Sequence, residues 1–348
     1  MESMHSLLGD GPVEASAPCR IDMGGTLDLS TFYLPLQPLG PCTFNAALNL
    51  RTRVRLLPHT VGKIKISATG FAETEVDAAA VPFGPPLGLM MAVAAYFGAE
   101  GVHIHIDSAS PPRSALGGSS VAAAALIWAF CKLLARQGRP MPGPSAVASL
   151  AHAIEQGVSG AICGMQDQLA AVYGGVNGWY WSGMLQGAAF QRRPIPAAGD
   201  AAAFSRQLLV AYCGVPHVSA DINGTWVRDF LAGRHRDLWH EIVFCSRGFI
   251  EALAEGRLAK ARELMNRETD LRCRMTPEVL DDLGRQLVDT ARRADCGARF
   301  TGAGGGGCLW ALGSAAGIDA LRPEWARIVA QREEACILAA AVDSEGLL

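Results

Sequence analysis

The chain of 348 residues is half apolar and nearly neutral, with 30 Lys and Arg against 33 Asp and Glu and a net charge of -3. It has no basic excess and no Lys/Arg block of the kind that follows a phosphate backbone, which argues against nucleic acid as a partner. A chain this long and this apolar can bury its own core and divides naturally into two domains, while its ten cysteines form no C-x-x-C pair and read as free, mostly buried thiols of a reducing cytosol.

Residues 1–17 read as a loose leader, without the basic and apolar regions of a secretory signal, so a cytoplasmic location is expected. Residues 42–57 and 63–69 alternate small, apolar and basic side chains and predict strands. The run LGLMMAVAAYF predicts a helix over 82–97, and residues 102–106, where His103 and His105 alternate with apolar residues, a half-exposed strand. A turn at 110–113 and a Gly/Ser cluster at 117–120 lead into an Ala-rich helix over 121–136. Its most apolar stretch, 121–130, is too short to span a bilayer and reads as buried, so no membrane partner is expected.

Further helical segments are predicted over 146–155 and 166–172, and Gly174 and Gly175 break the chain before a strand over 176–181. Residues 185–200, rich in Gly, Ala and Pro, suggest a boundary between a domain over 1–190 and a second over 191–348. The second domain opens with a strand at 207–213. It continues through helices near 220–233, 237–254, 257–267 and 277–294, and enters a glycine-interrupted strand over 299–312. No internal repeat is evident. The apolar surface of the second domain could support a homodimer.

Four constellations carry chemistry. Leu116, Gly117, Gly118, Ser119 and Ser120 lead into the Ala-rich helix, just after Pro111 and Pro112. A glycine turn that opens a helix presents unpaired N–H groups at the positive end of the helix dipole, a cradle that suits a diphosphate. Ser119 and Ser120 can offer a hydroxyl to Mg²⁺ or simply cap the helix. The Gly-Lys-Ser/Thr ending of a Walker A loop is missing. The second constellation is 302–307, all glycine except Ala303. Each glycine disfavours the folded state by roughly 0.5–1 kcal/mol relative to Ala. Close approach to a ligand or to another strand is the usual reason to keep them, and a flexible loop is the alternative.

The third constellation is Glu155 and Asp167, with Gly157, Gly160 and Gly164 between them. Two carboxylates beside a phosphate loop can divide the work, one ligating Mg²⁺ and the other orienting or deprotonating an attacking hydroxyl. Alternatively, Asp167 caps a helix and Glu155 is a solvated helix residue. The fourth is Arg20, Asp22, Gly24, Gly25, Thr26 and Asp28, whose acids can accept hydrogen bonds from a polyol; an ordinary turn is the alternative. His103 and His105 share a strand face, but no third metal ligand is evident. Pro216, His217 and Ser219 form a polar loop that could reach a site.

Together these motifs resemble a family. Ala-Pro-Cys-Arg at 17–20, Pro112 with the loop at 116–120, and the run at 302–307 follow the order and spacing of the three motifs of the galactokinase–homoserine kinase–mevalonate kinase (GHMP) superfamily. The stretches 164–177 and 296–302, with Arg20, Asp22, Gly24, Gly25 and Asp28, look most like the sugar 1-kinase branch that acts on heptose 7-phosphate and on fucose. The resemblance implies a mixed α/β (α+β) fold. An N-terminal ribosomal-protein-S5-like domain and a C-terminal ferredoxin-like domain would hold the site in the cleft between them.

It also implies roles. ATP and Mg²⁺ are the expected cofactors, and a monosaccharide or sugar phosphate the expected acceptor, phosphorylated at its anomeric hydroxyl. Asp167 aligns with the catalytic base and Arg20 with the cation beside it, while Ser119 and Glu155 align with the Mg²⁺ ligands. The nucleotide would be held by Pro112, Leu116, Gly117, Gly118, Ser119 and Ser120, with Gly302, Gly304, Gly305 and Gly306 supporting its phosphates. Asp22, Gly24, Gly25, Asp28 and Gln166 would hold the sugar. The chain departs from the pattern at Gly118, Ala115 and Arg299 and in a first motif that is one residue short, ending Thr26, Leu27, Asp28. A non-sugar alcohol acceptor and a non-catalytic nucleotide or sugar sensor are the alternatives.

Overall fold

Alternating strand patterns in the first part of the chain build one sheet, and the apolar runs after residue 207 build a second. A computed structural model describes residues 3–158, 160, 162–183, 189–195, 200–216 and 219–348. The first sheet has seven strands. β1 (Val13–Met23) runs antiparallel along β2 (Cys42–Pro58), with a register shift between Pro18 and Cys19. The two ends of β2 take different further partners. Residues 52–58 pair with β5 (Val102–Ser108), and residues 42–46 pair with β6 (Val176–Trp181). β3 (Lys63–Ala68) joins β5 in parallel, β4 (Thr74–Asp77) forms one edge, and β7 (Phe190–Pro194) pairs with β6 at the other. β7 lies within 185–200, so the described part of that segment contributes a strand to the first sheet.

The second sheet holds β8 (Leu208–Tyr212), β9 (Gly297–Phe300), β10 (Cys308–Leu312) and β11 (Cys336–Leu338). Their order is β11-β8-β10-β9 and every pair is antiparallel. With helices between β8 and β9 and between β10 and β11, this is the β-α-β-β-α-β arrangement of a ferredoxin-like domain.

The leader is ordered where the sequence suggested a loose tail. Ser3 caps α1 (Met4–Gly9) by accepting the N–H of Ser6, and Met4, Leu7 and Leu8 are buried. α2 (Ser30–Leu36) follows the first motif. α3 (Gly88–Tyr96) begins later than expected because Pro82, Pro85 and Pro86 precede it and cannot continue a helical hydrogen-bond ladder. α4 (Gly118–Ala135) is long and apolar enough, by length and composition alone, to cross a membrane. Its apolarity is used inside the protein: residues 121–127 are all buried, packed against β1 and β2.

α5 (Pro144–Val158) and α6 (Gln166–Tyr173) pack beside α4, and α7 (Ala201–Ser205) precedes the second sheet. α8 (Ser219–Leu231), α9 (Arg236–Ala254), α10 (Leu258–Met275) and α11 (Asp282–Arg293) lie between β8 and β9, and α12 (Ala315–Val329) between β10 and β11. α10 continues well past residue 267, which brings Glu268 and Arg272 onto a helix buried against α9 and β9.

After β11 the chain returns to the first sheet. Asp343 N–H donates to Ala47 O at 2.9 Å, and Asp343 O accepts from Gly175 N–H at 2.7 Å. Arg51 ties this segment down through Asp343 at 2.6 Å and is itself braced by Ser16 Oγ of β1 at 3.0 Å. Both partners are largely shielded from solvent, which raises the value of such a pair above that of an exposed one.

Candidate active site

The N-terminus of α4, the start of α6, the first motif after β1 and one face of α8 enclose a cavity of about 700 Å³. Its wall includes Arg20, Thr26, Asp28, Pro112, Gly117, Gly118, Ser119, Ser120, Glu155, Gln166, Asp167, Asn223 and Gly302.

Gly117 is the N-cap of α4 at φ 83 and makes no side-chain cap bond, so Ser119 and Ser120 fall inside the first turn instead of capping it. The cap must be glycine for two reasons. Its φ is left-handed, and a Cβ here would stand 3.0 Å from Asp167 Cγ. Gly117 and the first turn of α4 line the cavity, where the first N–H groups of a helix have no intrahelical partner. Leu116 does not reach the cavity. It is fully buried, and its carbonyl accepts the Arg20 N–H at 3.2 Å, fixing the loop to β1.

Asp167 lies in the first turn of α6. Arg20, from β1, reaches its Oδ1 with Nε at 2.7 Å and Nη2 at 2.6 Å. The remaining nitrogen, Nη1, donates to Ala115 O at 2.7 Å and lies 3.1 Å from Asp22 Oδ1. Burial opposes the Arg20 charge, but Asp167 and Asp22 outweigh it and hold the guanidinium protonated even more firmly than usual. Glu155, on α5, accepts from Ser120 Oγ and from Gln168 Nε2, both at 2.7 Å, and the nearby Ser119 hydroxyl adds to the stabilisation of its charge. Burial pushes its carboxyl up to about 7, with these bonds pulling the other way. Among the described residues no group of three or more His, Cys, Asp or Glu could form a protein-only metal cage. Glu155 with Ser119 is instead the sparse, all-oxygen donor set that fits Mg²⁺, an ion usually held by one or two carboxylates together with water and phosphate.

Asp28 is buried in the wall and accepts the backbone N–H of Gln166 at 3.1 Å. A Cβ on Gly164 would stand 1.7 Å from its Oδ2, so the approach of the two segments depends on that glycine. Burial first, and the Asp167 charge after it, push the Asp28 carboxyl up to about 6. Gln166 lines the cavity and accepts from Asn45 Nδ2 at 3.3 Å.

Several expected residues are placed elsewhere. Asp22 has no solvent exposure and does not line the cavity. Its Oδ1 takes the Gly302 N–H at 2.7 Å as well as Arg20, and its Oδ2 pairs with Arg299 at 3.1 Å, so neither oxygen is left for a sugar. Gly24 packs on Ser246 of α9, and Gly25 offers its carbonyl to Arg272 at 2.7 Å; neither lines the cavity. Of the glycine run, Gly302 and Ala303 reach the cavity. Gly304, Gly305 and Gly306 face protein instead: their Cβ positions would meet Val279 O at 2.7 Å, Ile222 Cδ1 at 2.6 Å and Pro216 O at 3.0 Å. The rings of His103 and His105 share the Ser67 hydroxyl, at 2.8 and 2.9 Å. His217 lies outside the described residues.

The sequence also concealed a chain of buried charges. Arg299 bonds Glu268 at 2.7 Å, and Glu268 bonds Arg272 at 2.8 Å. Arg272 in turn reaches Thr26 Oγ1 at 3.0 Å, with its guanidinium over Trp226 and Trp239. All three charged side chains have no exposure. Burial opposes ionisation of Glu268, but Arg299 and Arg272 overcome it and lower its pKa. This network joins the second domain to the first motif and so holds the segment from Gly25 to Asp28 in place. In sequence α10 is dense with charge, and nothing local marks which of its side chains turn inward. Cys163 and Asn223 also line the cavity without having been marked by any motif.

Comparisons with known proteins bear on the family and the fold. Residues 87–175 match the family model described as GHMP kinases N terminal domain, and residues 249–331 match GHMP kinases C terminal. A mevalonate kinase of Pyrococcus horikoshii is 29% identical over 328 residues, covering 86% of this chain and 88% of that protein. A D-glycero-D-manno-heptose 1-phosphate kinase structure from Bacteroides thetaiotaomicron aligns with a TM-score of 0.72 at 17% identity, covering 96% and 97% of the two chains. Galactokinase of Lactococcus lactis, complexed with galactose, aligns with a TM-score of 0.71 at 17% identity over 99% and 97%. At these identities the structural likeness establishes the fold alone.

Proposed function

The chain belongs to the GHMP kinase family, and on that premise we propose that it transfers the γ-phosphoryl group of ATP to a hydroxyl of a sugar or sugar phosphate, with the anomeric hydroxyl as the first candidate. Members of the family are ATP-using phosphotransferases with an alcohol acceptor. The observation that carries the reading is that one cavity gathers the open first turn of α4, the Ser119–Glu155 oxygen pair and the Arg20–Asp167 pair.

In this reading the loop at 117–120 binds the nucleotide phosphates through backbone N–H groups. Ser119 and Glu155 hold Mg²⁺, which when bound neutralises charge on the transferred group. Asp167 receives or orients the proton of the attacking hydroxyl. Arg20 fixes one oxygen of that carboxylate, so the other is directed toward the loop, where a Cβ on Gly117 would lie 3.1 Å from Oδ2. Little covalent work is asked of the protein. Positioning and electrostatics supply the rate.

Asp28 and Gln166 supply oxygen acceptors that suit a polyol. The mevalonate kinases among the relatives support a second reading, in which the acceptor is a non-sugar hydroxy acid. A sensor without turnover has no use for Ser119, Glu155 and Asp167 in one cavity. The test is an ATP-coupled panel of aldoses, aldose phosphates, amino-alcohols and mevalonate, with ³¹P NMR of the product. An anomeric phosphate resonance is expected. Turnover confined to mevalonate overturns the sugar reading, and ATP binding without any turnover overturns the kinase reading.

A further inference from the structure

We propose that Asn223 on α8 is a specificity-determining residue, and that with Asp28 and Gln166 it forms an acceptor subsite for an uncharged polyol, excluding acceptors that carry a phosphate or a carboxylate there. The proposal deepens the kinase reading and rests on it.

Three observations support it. The Asn223 side-chain oxygen is buried at the cavity wall and has no hydrogen-bond partner among the described residues. A buried amide oxygen left unpaired keeps its full desolvation penalty, which a ligand hydroxyl donating to it would relieve. Second, Asn223 is placed by packing on both sides. Phe230 of α8 meets Phe32 of α2 with ring centroids 5.1 Å apart, and α2 begins directly after Asp28 and Leu29. Neighbouring Ile222 fills the space that a side chain on Gly305 would need. The amide therefore stands between the first motif and the glycine run.

Third, the charge at this end has one sign. Arg20 and Arg113 are the cations among the described residues of the wall. Arg20 is committed to Asp167, Asp22 and Ala115 O, and Arg113 belongs to the turn that leads into the phosphate loop. Arg272, behind the first motif, is committed to Glu268, Thr26 and Gly25. The segments outside the described residues contain no Lys or Arg. An anionic group beside Asp28 and Asp167 would meet two carboxylates, with Arg20 already committed and Arg113 standing on the turn before the phosphate loop, which is how a site rejects a charged competitor.

The experiment compares kcat/KM for galactose, mannose and fucose with that for hexose 6-phosphates, mevalonate and phosphomevalonate. It is run on the wild-type enzyme, on Asn223→Leu and on Asn223→Lys. A neutral aldose should be preferred. Asn223→Leu should raise the acceptor KM roughly tenfold while leaving the ATP KM and the melting temperature unmoved. Asn223→Lys should shift the ratio toward the phosphorylated acceptor by roughly tenfold or more, because it supplies the missing cation. Preference for an anionic acceptor by the wild type, or an unchanged acceptor KM in a folded Asn223→Leu protein, overturns the proposal and leaves the kinase reading standing. No ADP formation with any compound overturns both.

Discussion

Two glycine-rich segments meet beside the cavity, where Gly307 packs on Ser114 and Ala115, and they are used in opposite ways. At 117–120 the loop lines the cavity at the open start of α4, and Gly117 lets it lie against Asp167. At 304–307 glycine lets the chain lie against itself. The N–H groups of Gly305 and Gly307 go to Val279 O at 3.0 Å and Val215 O at 2.8 Å. Composition alone does not separate a ligand cradle from a packing device. What separates them is where the N–H groups go, because a backbone donor already paired with protein has nothing to offer a phosphate.

This contrast can be broken at several points. The largest effect belongs to the carboxylate that the first loop touches. Asp167→Asn should lower kcat by roughly 10²–10⁴ with ATP affinity nearly unchanged, as measured by steady-state kinetics and nucleotide titration. Unchanged turnover would remove Asp167 from the chemistry. Next comes the second loop. Gly304→Ala places a Cβ at 2.7 Å from Val279 O in a left-handed conformation, so it should destabilise the fold by about 2–4 kcal/mol in denaturant unfolding. A variant of wild-type stability that loses only ATP binding would show that this run, too, serves the ligand.

Ser119→Ala should do the reverse. Ser119 is exposed in the first turn and supports no core, so the melting temperature should hold while apparent Mg²⁺ affinity and turnover fall roughly tenfold. The smallest effect is a pH dependence at Asp28. Its carboxyl, raised to about 6 by burial, binds its proton more tightly folded than unfolded. Stability therefore falls as pH rises from about 4 to about 6, and the loss persists above that range. Asp28→Asn should be more stable than wild type above pH 6, with the difference shrinking toward pH 4. A constant difference across that range would show that Asp28 does not titrate in this window.

The three motif segments and the carboxylate pair were legible because their residue types announce the chemistry locally. The turn before α4, the Ala-rich helix and Asp167 at the start of α6 all stand at the positions the spacing suggested. Asp22 misled for a physical reason: an acid beside Asp28 reads as a sugar ligand, yet Arg299, 277 positions away, takes its charge. Arg272 was hidden in the same way, since it sits among other charged residues on α10 and only the fold turns it inward beneath Trp226 and Trp239. Asn223 belongs to no motif. Its proposed role rests on a buried oxygen without a partner among the described residues, which no sequence displays.

The returning segment after β11 also bears on the site. The edge of the first sheet near β1 and β2 is completed by residues 341–348, through Asn49 with Ala341 and Ser16 with Leu348. Gly346 lies against Val172 O, close to the C-terminal end of the helix that starts with Gln166 and Asp167. These contacts tie residues from beyond the second sheet to the back of α6, so the support behind Asp167 depends on segments far apart in the chain, and the two sheets alone do not complete it.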